Sequence, residues 1–254
     1  MTVQLFAFTC GHVTSERANF LEGETGKLTV PVPAYLIVHD DGKVLFDTGL
    51  NLAIRQEKAR LMGPLADSQE IDFPEDADIA SHLSRLGVAT ADIRYVVNSH
   101  LHYDHCGGNE HFSKATLVVH AREWRAAHMA STRAAGIYHP DDFDHMATVR
   151  QADGELDLFG DGSVVVFPTP GHTPGHQSLR LQLASGTIVL AADCCYLKQT
   201  LDALHLPAST YNRDQMLQSL GKLRRMQSDG ARIFFGHDPD FWKTVPQAPL
   251  PVLG

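Results

Sequence analysis

The sequence predicts an α/β protein made of two βα halves that face each other, sheet on sheet with helices outside. Three observations lead there. Short apolar runs alternate with stretches of helical period, both halves run from strands to a late helix and a closing strand, and no Pro/Gly/Ser-rich linker separates them. Residues 1–254 are therefore expected to form a single domain, although about 150 residues per domain would allow two. With 43% hydrophobic and 20% charged residues the make-up is globular. A chain of this length buries roughly 70–75% of its unfolded surface and needs no disulfide staples.

Val3–Phe8 reads as the first strand. Ala34–Val38 and Val44–Phe46 follow as a hairpin closed by the turn Asp40-Asp41-Gly42. Residues 51–75 lack a clean period and carry Gly63, Pro64 and Pro74, so they read as an excursion over the surface, a candidate lid. Asp76–Leu86 places apolar residues at 79, 80, 83 and 86 ahead of Gly87, a helix with a glycine stop. Tyr95–Val97 and Thr116–Val119 are strands, and Ala121–Met129 is a helix. In the second half Val164–Phe167, Ser178–Leu183 and Thr187–Leu190 are strands, the last two joined through Ser185-Gly186. Asn212 caps a helix to about Met226, and Ile233–Phe235 closes the chain's regular structure.

Lys and Arg number 21 against 30 Asp and Glu, a formal charge of −9. That balance argues against nucleic acid and anionic membranes as partners, since both select clustered cations. No run approaches the roughly 20 apolar residues that span a bilayer, and the start has no basic n-region of a signal peptide. The cysteines, at 10, 106, 194 and 195, form no CxxC pair or disulfide framework, so a cytoplasmic location is expected. Fifteen histidines are the conspicuous excess.

The sharpest signal is Ser99-His100-Leu101-His102-Tyr103-Asp104-His105-Cys106-Gly107-Gly108-Asn109, directly after a buried-looking strand. Alternate residues of an extended segment share a face, so His100 and His102 can meet one ion. After the turn, Asp104 and His105 can point to a second position. Three histidines and an acid packed this closely are costly to bury unless they bind something. More candidates stand at strand ends: His172 in the stiff turn Pro168-Thr169-Pro170-Gly171-His172-Thr173-Pro174-Gly175-His176, Asp193 after an apolar strand, and His237 in Gly236-His237-Asp238. Cys194 and Cys195 read as small buried residues. His176 is read either as support for a ligand or as a structural hydrogen-bonding group. His12, His39, His111, His120, His128, His139, His145 and His205 read as surface or pocket residues.

At these residues the chain resembles the metallo-β-lactamase superfamily, whose seven-ligand pattern His100, His102, Asp104, His105, His172, Asp193 and His237 fill in order. The resemblance implies a four-layer αβ/βα sandwich with the site at the sheet edges. It also implies two metal ions per chain, one on His100, His102 and His172, the other on Asp104, His105 and His237, with Asp193 bridging. Asp47-Thr48-Gly49 matches the family's early acidic motif, whose Asp supports the ligands. Metallo-β-lactamases proper usually lack the histidine after the Asp104 position, and many use Cys where Asp193 stands. The motifs are more similar to those of N-acyl homoserine lactone lactonases: SHLHYDHCGGN looks like their SHLHFDHAGGN, PGHTPGHQSL like their PGHSPGHQSL, and Tyr196 keeps their tyrosine three residues past the bridging Asp.

The activity this implies is hydrolysis of the lactone ring of N-acyl homoserine lactones, a quorum-quenching reaction, by a hydroxide activated between two metals. Asp104 would carry the proton to the departing ring oxygen, and Tyr196 would donate a hydrogen bond to the developing oxyanion. N/O ligands suit Zn2+, and other divalent transition metals could fill the same site. The expected partner is a small acylated lactone, and oligomeric state is open, a homodimer included. The alternatives are hydrolysis of a pyridoxolactone- or γ-butyrolactone-type ring and, behind it, a glyoxalase II-like thioesterase. The latter usually has a C-terminal helical domain, whereas 17 residues follow His237. The apolar residues Leu61, Met62, Phe73, Ile137, Tyr138 and Phe143 are expected to wall the acyl pocket.

Overall fold

A computed structural model describes residues 3–252. Its elements in chain order are β1 (Gln4–Glu16), β2 (Lys27–His39), β3 (Gly42–Phe46), α1 (Ile54–Met62), β4 (Glu70–Asp72), α2 (Ile79–Arg85), β5 (Ile93–Val97), α3 (Tyr103–Cys106), β6 (Thr116–His120), α4 (Ala121–Ala127), α5 (Ala130–Ala134), β7 (Thr148–Ala152) and β8 (Leu156–Asp157). The second half continues with β9 (Val164–Pro168), β10 (Gln177–Leu183), β11 (Gly186–Leu190), α6 (Lys198–Ala203), α7 (Arg213–Ser228), β12 (Arg232–Phe234) and α8 (Pro239–Trp242). Two sheets result, one of seven strands in the order β4-β1-β2-β3-β5-β6-β7 and one of five in the order β12-β11-β10-β9-β8.

Period-two alternation sorts the side chains into layers. Leu5, Ala7, Ile37, Val44, Phe46, Val97 and Val118 of the first sheet meet Val164, Val166, Leu179, Leu181, Ile188 and Leu190 of the second. Their chain neighbours Phe8, Leu36, Leu45, Val96 and Leu117 point the other way, under α1 and α2. Phe167 and Val189 likewise point outward, towards Leu220 and Leu223 of α7. Helix, sheet, sheet and helix are thus stacked as expected for an αβ/βα sandwich. Each fully buried Leu, Val or Phe in these layers stabilises the fold by about 1.5–3 kcal/mol.

Three segments differ from the sequence expectation. β1 and β2 are 13 residues each, far longer than the apolar runs that mark them. Their pairing shifts register between Thr9 and His12, opposite Pro31 and Pro33, where a bulge tolerates residues that cannot donate to the ladder. Residues 51–75 are not an open excursion. Ile54, Leu61 and Met62 of α1 are buried against the first sheet with Phe73. Gly63, at φ 51°, lies so close to Gly136 that an added Cβ would stand 2.9 Å from the Gly136 carbonyl oxygen, which ties this segment to the one after α5. The short strands β7 and β8, between α5 and β9, are elements that the sequence does not mark. No helix among the described residues is long and apolar enough to cross a membrane.

Candidate metal centre

The apolar strand β5 delivers the chain to Asn98, after which His100 and His102 lie on an extended stretch and Asp104 and His105 on α3. This loop is pinned from below. Asn98 Nδ2 donates to the His105 carbonyl at 3.0 Å, Asn109 Nδ2 donates to Asn98 Oδ1 at 2.8 Å, and the Thr48 hydroxyl donates to Asn109 Oδ1 at 2.9 Å. Gly107 and Gly108 permit that packing, since a Cβ at either would lie 2.3 Å from Asn51 N or 2.4 Å from Thr48 O. His172, Asp193 and His237 arrive from the other sheet, just past β9, β11 and β12.

All seven predicted ligands converge. His100 Nε2, His102 Nδ1 and His172 Nε2 form a triangle with sides of 2.9, 3.1 and 3.2 Å. Three imidazole nitrogens around one tetrahedral zinc at 2.0–2.1 Å would stand about 3.3–3.4 Å apart, so the triangle has the right size. Asp193 faces both groups. Its Oδ2 is 3.2 Å from His172 Nε2, while its Oδ1 is 3.2 Å from His105 Nε2 and 3.0 Å from His237 Nε2. Asp104 Oδ2 completes the second group, 3.6 Å from His105 Nε2 and 3.7 Å from His237 Nε2. His105 Nε2 and Asp193 Oδ1 are buried and face each other without a well-aligned hydrogen bond, and a shared cation would satisfy both. The donor set of imidazoles and carboxylates suits a borderline cation such as zinc, so residues and group fit.

Electrostatics prepare the donors. Burial first, and the neighbouring His105 and His102, push His100 well below the usual histidine range, and burial brings His102 to about 4. Both are therefore neutral, the form that ligates. Burial opposes ionisation of Asp193, but His105, His237 and His172 outweigh it and hold the carboxyl well below its usual range. Burial would lower His105 and His237 too, yet the carboxylates, Asp193 foremost, raise both.

The far ring nitrogens are fixed as well. His105 Nδ1 donates to Asp47 Oδ2 at 2.9 Å, and Asp47 also accepts from the Ser99 amide and hydroxyl at 2.7 and 2.8 Å. Asp47 sits at φ 58°, a conformation unusual for a non-glycine residue. His237 Nδ1 donates to the Pro31 carbonyl at 2.7 Å, and His172 Nδ1 lies 3.0 Å from the Tyr196 hydroxyl. Burial, then Asp193 and Asp104, push the Tyr196 phenol well above its usual range, so it keeps its proton. His176 is buried with Nδ1 2.9 Å from the Thr169 hydroxyl. The four cysteines are free and buried.

Glu123 was not legible as a site residue. It is fully buried on α4, and its carboxylate accepts from the Leu101 amide at 3.2 Å and the Gly175 amide at 3.0 Å. One carboxylate therefore joins the loop that carries His100 and His102 to the loop that carries His172. Tyr138 and Thr173 face the same group. In the sequence it is one acid among the polar positions of a short helix, with no motif around it.

Beside the centre lies a cavity of about 780 Å³ that reaches His102 and His172. Of the six apolar residues expected to wall a pocket, Ile137 and Tyr138 line it. Leu61, Met62, Phe73 and Phe143 instead belong to the core under the first sheet, because α1 and the turn at 140–143 direct them inward. His39 is buried rather than superficial, bonded to Asp161 at 3.0 Å, and His120, which caps α4, lines a second, smaller cavity.

This fold and centre define a class: the chain belongs to the metallo-β-lactamase superfamily, whose model matches residues 29–237. Within that class its likeness is to N-acyl homoserine lactonases. The lactonase AttM of Azorhizobium caulinodans is 33% identical over 235 residues, 90% of this chain and 89% of the relative. AiiA of Bacillus thuringiensis subsp. kurstaki is 29% identical over 218 residues, 83% of this chain and 82% of AiiA. Among solved structures, an N-acyl homoserine lactone hydrolase with its product N-hexanoyl-L-homoserine at the catalytic metal center superposes with a TM-score of 0.87 at 26% identity, covering 99% of this chain and 100% of that one. A B. thuringiensis AiiA variant with N-decanoyl-L-homoserine at its active site gives 0.88 at 27% identity, with the same coverage.

Proposed function

We propose that this protein is a quorum-quenching lactonase that hydrolyses N-acyl homoserine lactones at a dinuclear metal centre. The observation that carries the reading is the division of Asp193, with one oxygen towards each of two donor groups beside a cavity of ligand size. His100, His102 and His172 would hold one cation, Asp104, His105 and His237 the other, and Asp193 would give an oxygen to each. Such a pair, zinc being the natural choice, supplies Lewis acidity to a carbonyl and brings the pKa of water to about 7.

The chain's own residues do the rest. Asp47 and the Pro31 carbonyl hold His105 and His237 with Nε2 towards the centre. With His172 Nδ1 donating to the Tyr196 oxygen and the Asp193 carboxylate accepting its proton, the phenol would have to turn that proton from Asp193 to the lactone carbonyl to stabilise the charge that develops there. Water adds to the carbonyl carbon, the ring C–O bond breaks, and Asp104 passes the water's proton to the departing oxygen. The product is the N-acyl homoserine with a free carboxylate and hydroxyl. Free, buried thiols accord with a reducing compartment such as the cytoplasm.

The test is a pH-stat comparison of acyl homoserine lactones, simple γ-lactones, nitrocefin and S-lactoylglutathione with the purified protein. Acid release from acyl homoserine lactones at the highest kcat/KM is expected. Preference for S-lactoylglutathione or nitrocefin would overturn the reading.

A further inference from the structure

The cavity beside the centre carries charge that a plain hydrocarbon chain does not use. Helix α4 turns Glu123 inward and presents Arg122, Arg125 and Ala126 to the cavity, the spacing of one helical face, with Met129 following just past its C-terminus. Both arginines are exposed, and among the described residues neither guanidinium has a carboxylate or carbonyl partner. Elsewhere in this acidic chain Arg60, Arg85 and Arg213 meet carboxylates, and Arg55, Arg94 and Arg224 meet backbone carbonyls. Arg150, Arg180 and Arg225 also lack a carboxylate or carbonyl partner among the described residues; what sets Arg122 and Arg125 apart is that both line the cavity. Thr210 and Gln215 also line the cavity, and their Oγ1 and Oε1 atoms are buried without a partner in the protein.

An alkyl chain laid along this wall would displace water from two guanidiniums and offer no acceptor in return. A carboxylate would receive charge-assisted, bidentate hydrogen bonds from the same groups. The ring end of the substrate is committed to the histidine side of the cavity, at His102 and His172, so such a carboxylate has to sit on the acyl group. We infer that the preferred acyl group ends in a carboxylate, received by Arg122 and Arg125. This rests on the lactonase reading and names the substrate class within it.

The experiment compares kcat/KM for N-octanoyl homoserine lactone and its matched ω-acid, N-(7-carboxyheptanoyl) homoserine lactone, at low ionic strength. Wild-type protein should favour the ω-acid. In Arg122→Gln/Arg125→Gln the ratio of ω-acid to plain chain should fall about tenfold, equivalent to about 1.4 kcal/mol. Each single variant should give about a threefold fall, half that free energy, and the Arg→Lys pair should restore part of the preference. Thermal melting of each variant checks that the fold is retained. Hydrolysis of both lactones with no preference for the ω-acid, or with a ratio the double variant leaves unchanged, would overturn this inference and leave the lactonase reading intact. Failure of the wild-type protein to open either ring would overturn the lactonase reading and this inference with it.

Discussion

Replacing Tyr196 by Phe removes one buried hydroxyl, and the structure gives that hydroxyl two tasks. It accepts from His172 Nδ1 at 3.0 Å, and it can donate to a substrate carbonyl. The ring itself should stay in place, because Phe20 meets it edge-on at 5.6 Å and His237 lies 5.7 Å away. Losing the acceptor leaves the His172 N–H unpaired. Removal of such an outer partner typically lowers metal affinity 10–100-fold, about 1.4–2.7 kcal/mol. Losing an oxyanion donor can cost about 2.7–4 kcal/mol. A carbonyl also polarised by metal should lose less, on the order of tenfold in kcat, or about 1.4 kcal/mol. The two effects separate in one assay series: a chelator competition reads affinity, and kcat at saturating zinc reads chemistry. An unchanged kcat with full metal would refute the oxyanion role. An unchanged chelator midpoint would refute the support of His172.

Asp193→Ala should lose metal and activity together, as seen by elemental analysis and turnover, because its oxygens face both donor groups. Glu123→Ala should strand the Leu101 and Gly175 amides at about 1–3 kcal/mol each, which calorimetry would read as a lower Tm together with weaker zinc retention. Asp142 is buried, donated to by Asn51 at 2.8 Å, with its other oxygen unpartnered, and burial pushes its carboxyl up to about 7. The folded protein therefore disfavours the charged form. Stability should fall as pH rises from about 4, the unfolded value, through about 7. Asp142→Asn should flatten that part of a urea-midpoint against pH profile and be the more stable protein at pH 8.

The site was the most legible part of this sequence because its signals are local. A buried strand followed by His-x-His-x-Asp-His needs no knowledge of the rest of the fold, and the strands ending at His172, Asp193 and His237 repeat the same pattern. The interior strands were legible for the same reason, since both of their faces are apolar. The edges were not. β4 and β7 are short and polar, as edge strands tend to be, and α1 hides a buried face behind a polar run from Arg55 to Arg60. Glu123 shows a different limit. Its role exists only once α4 is packed against two loops that lie far apart in the chain, and nothing in the sequence around it records that meeting.

The histidine triangle has a mechanical consequence. His100 and His102 are carried by the seven-stranded sheet and His172 by the five-stranded one, and the second donor group is split in the same way between Asp104 and His105 on one side and His237 on the other. Neither half owns a complete set of donors. A cation seated at either position acts as a rivet through the sandwich, and sliding one sheet over the other by a fraction of an ångström would stretch several bonds at once. With cations held there, shear between the halves would therefore change the coordination at the centre. Two fragments of this chain, cut between β7 and β8 and mixed, would be expected to reassemble far better with zinc than without it.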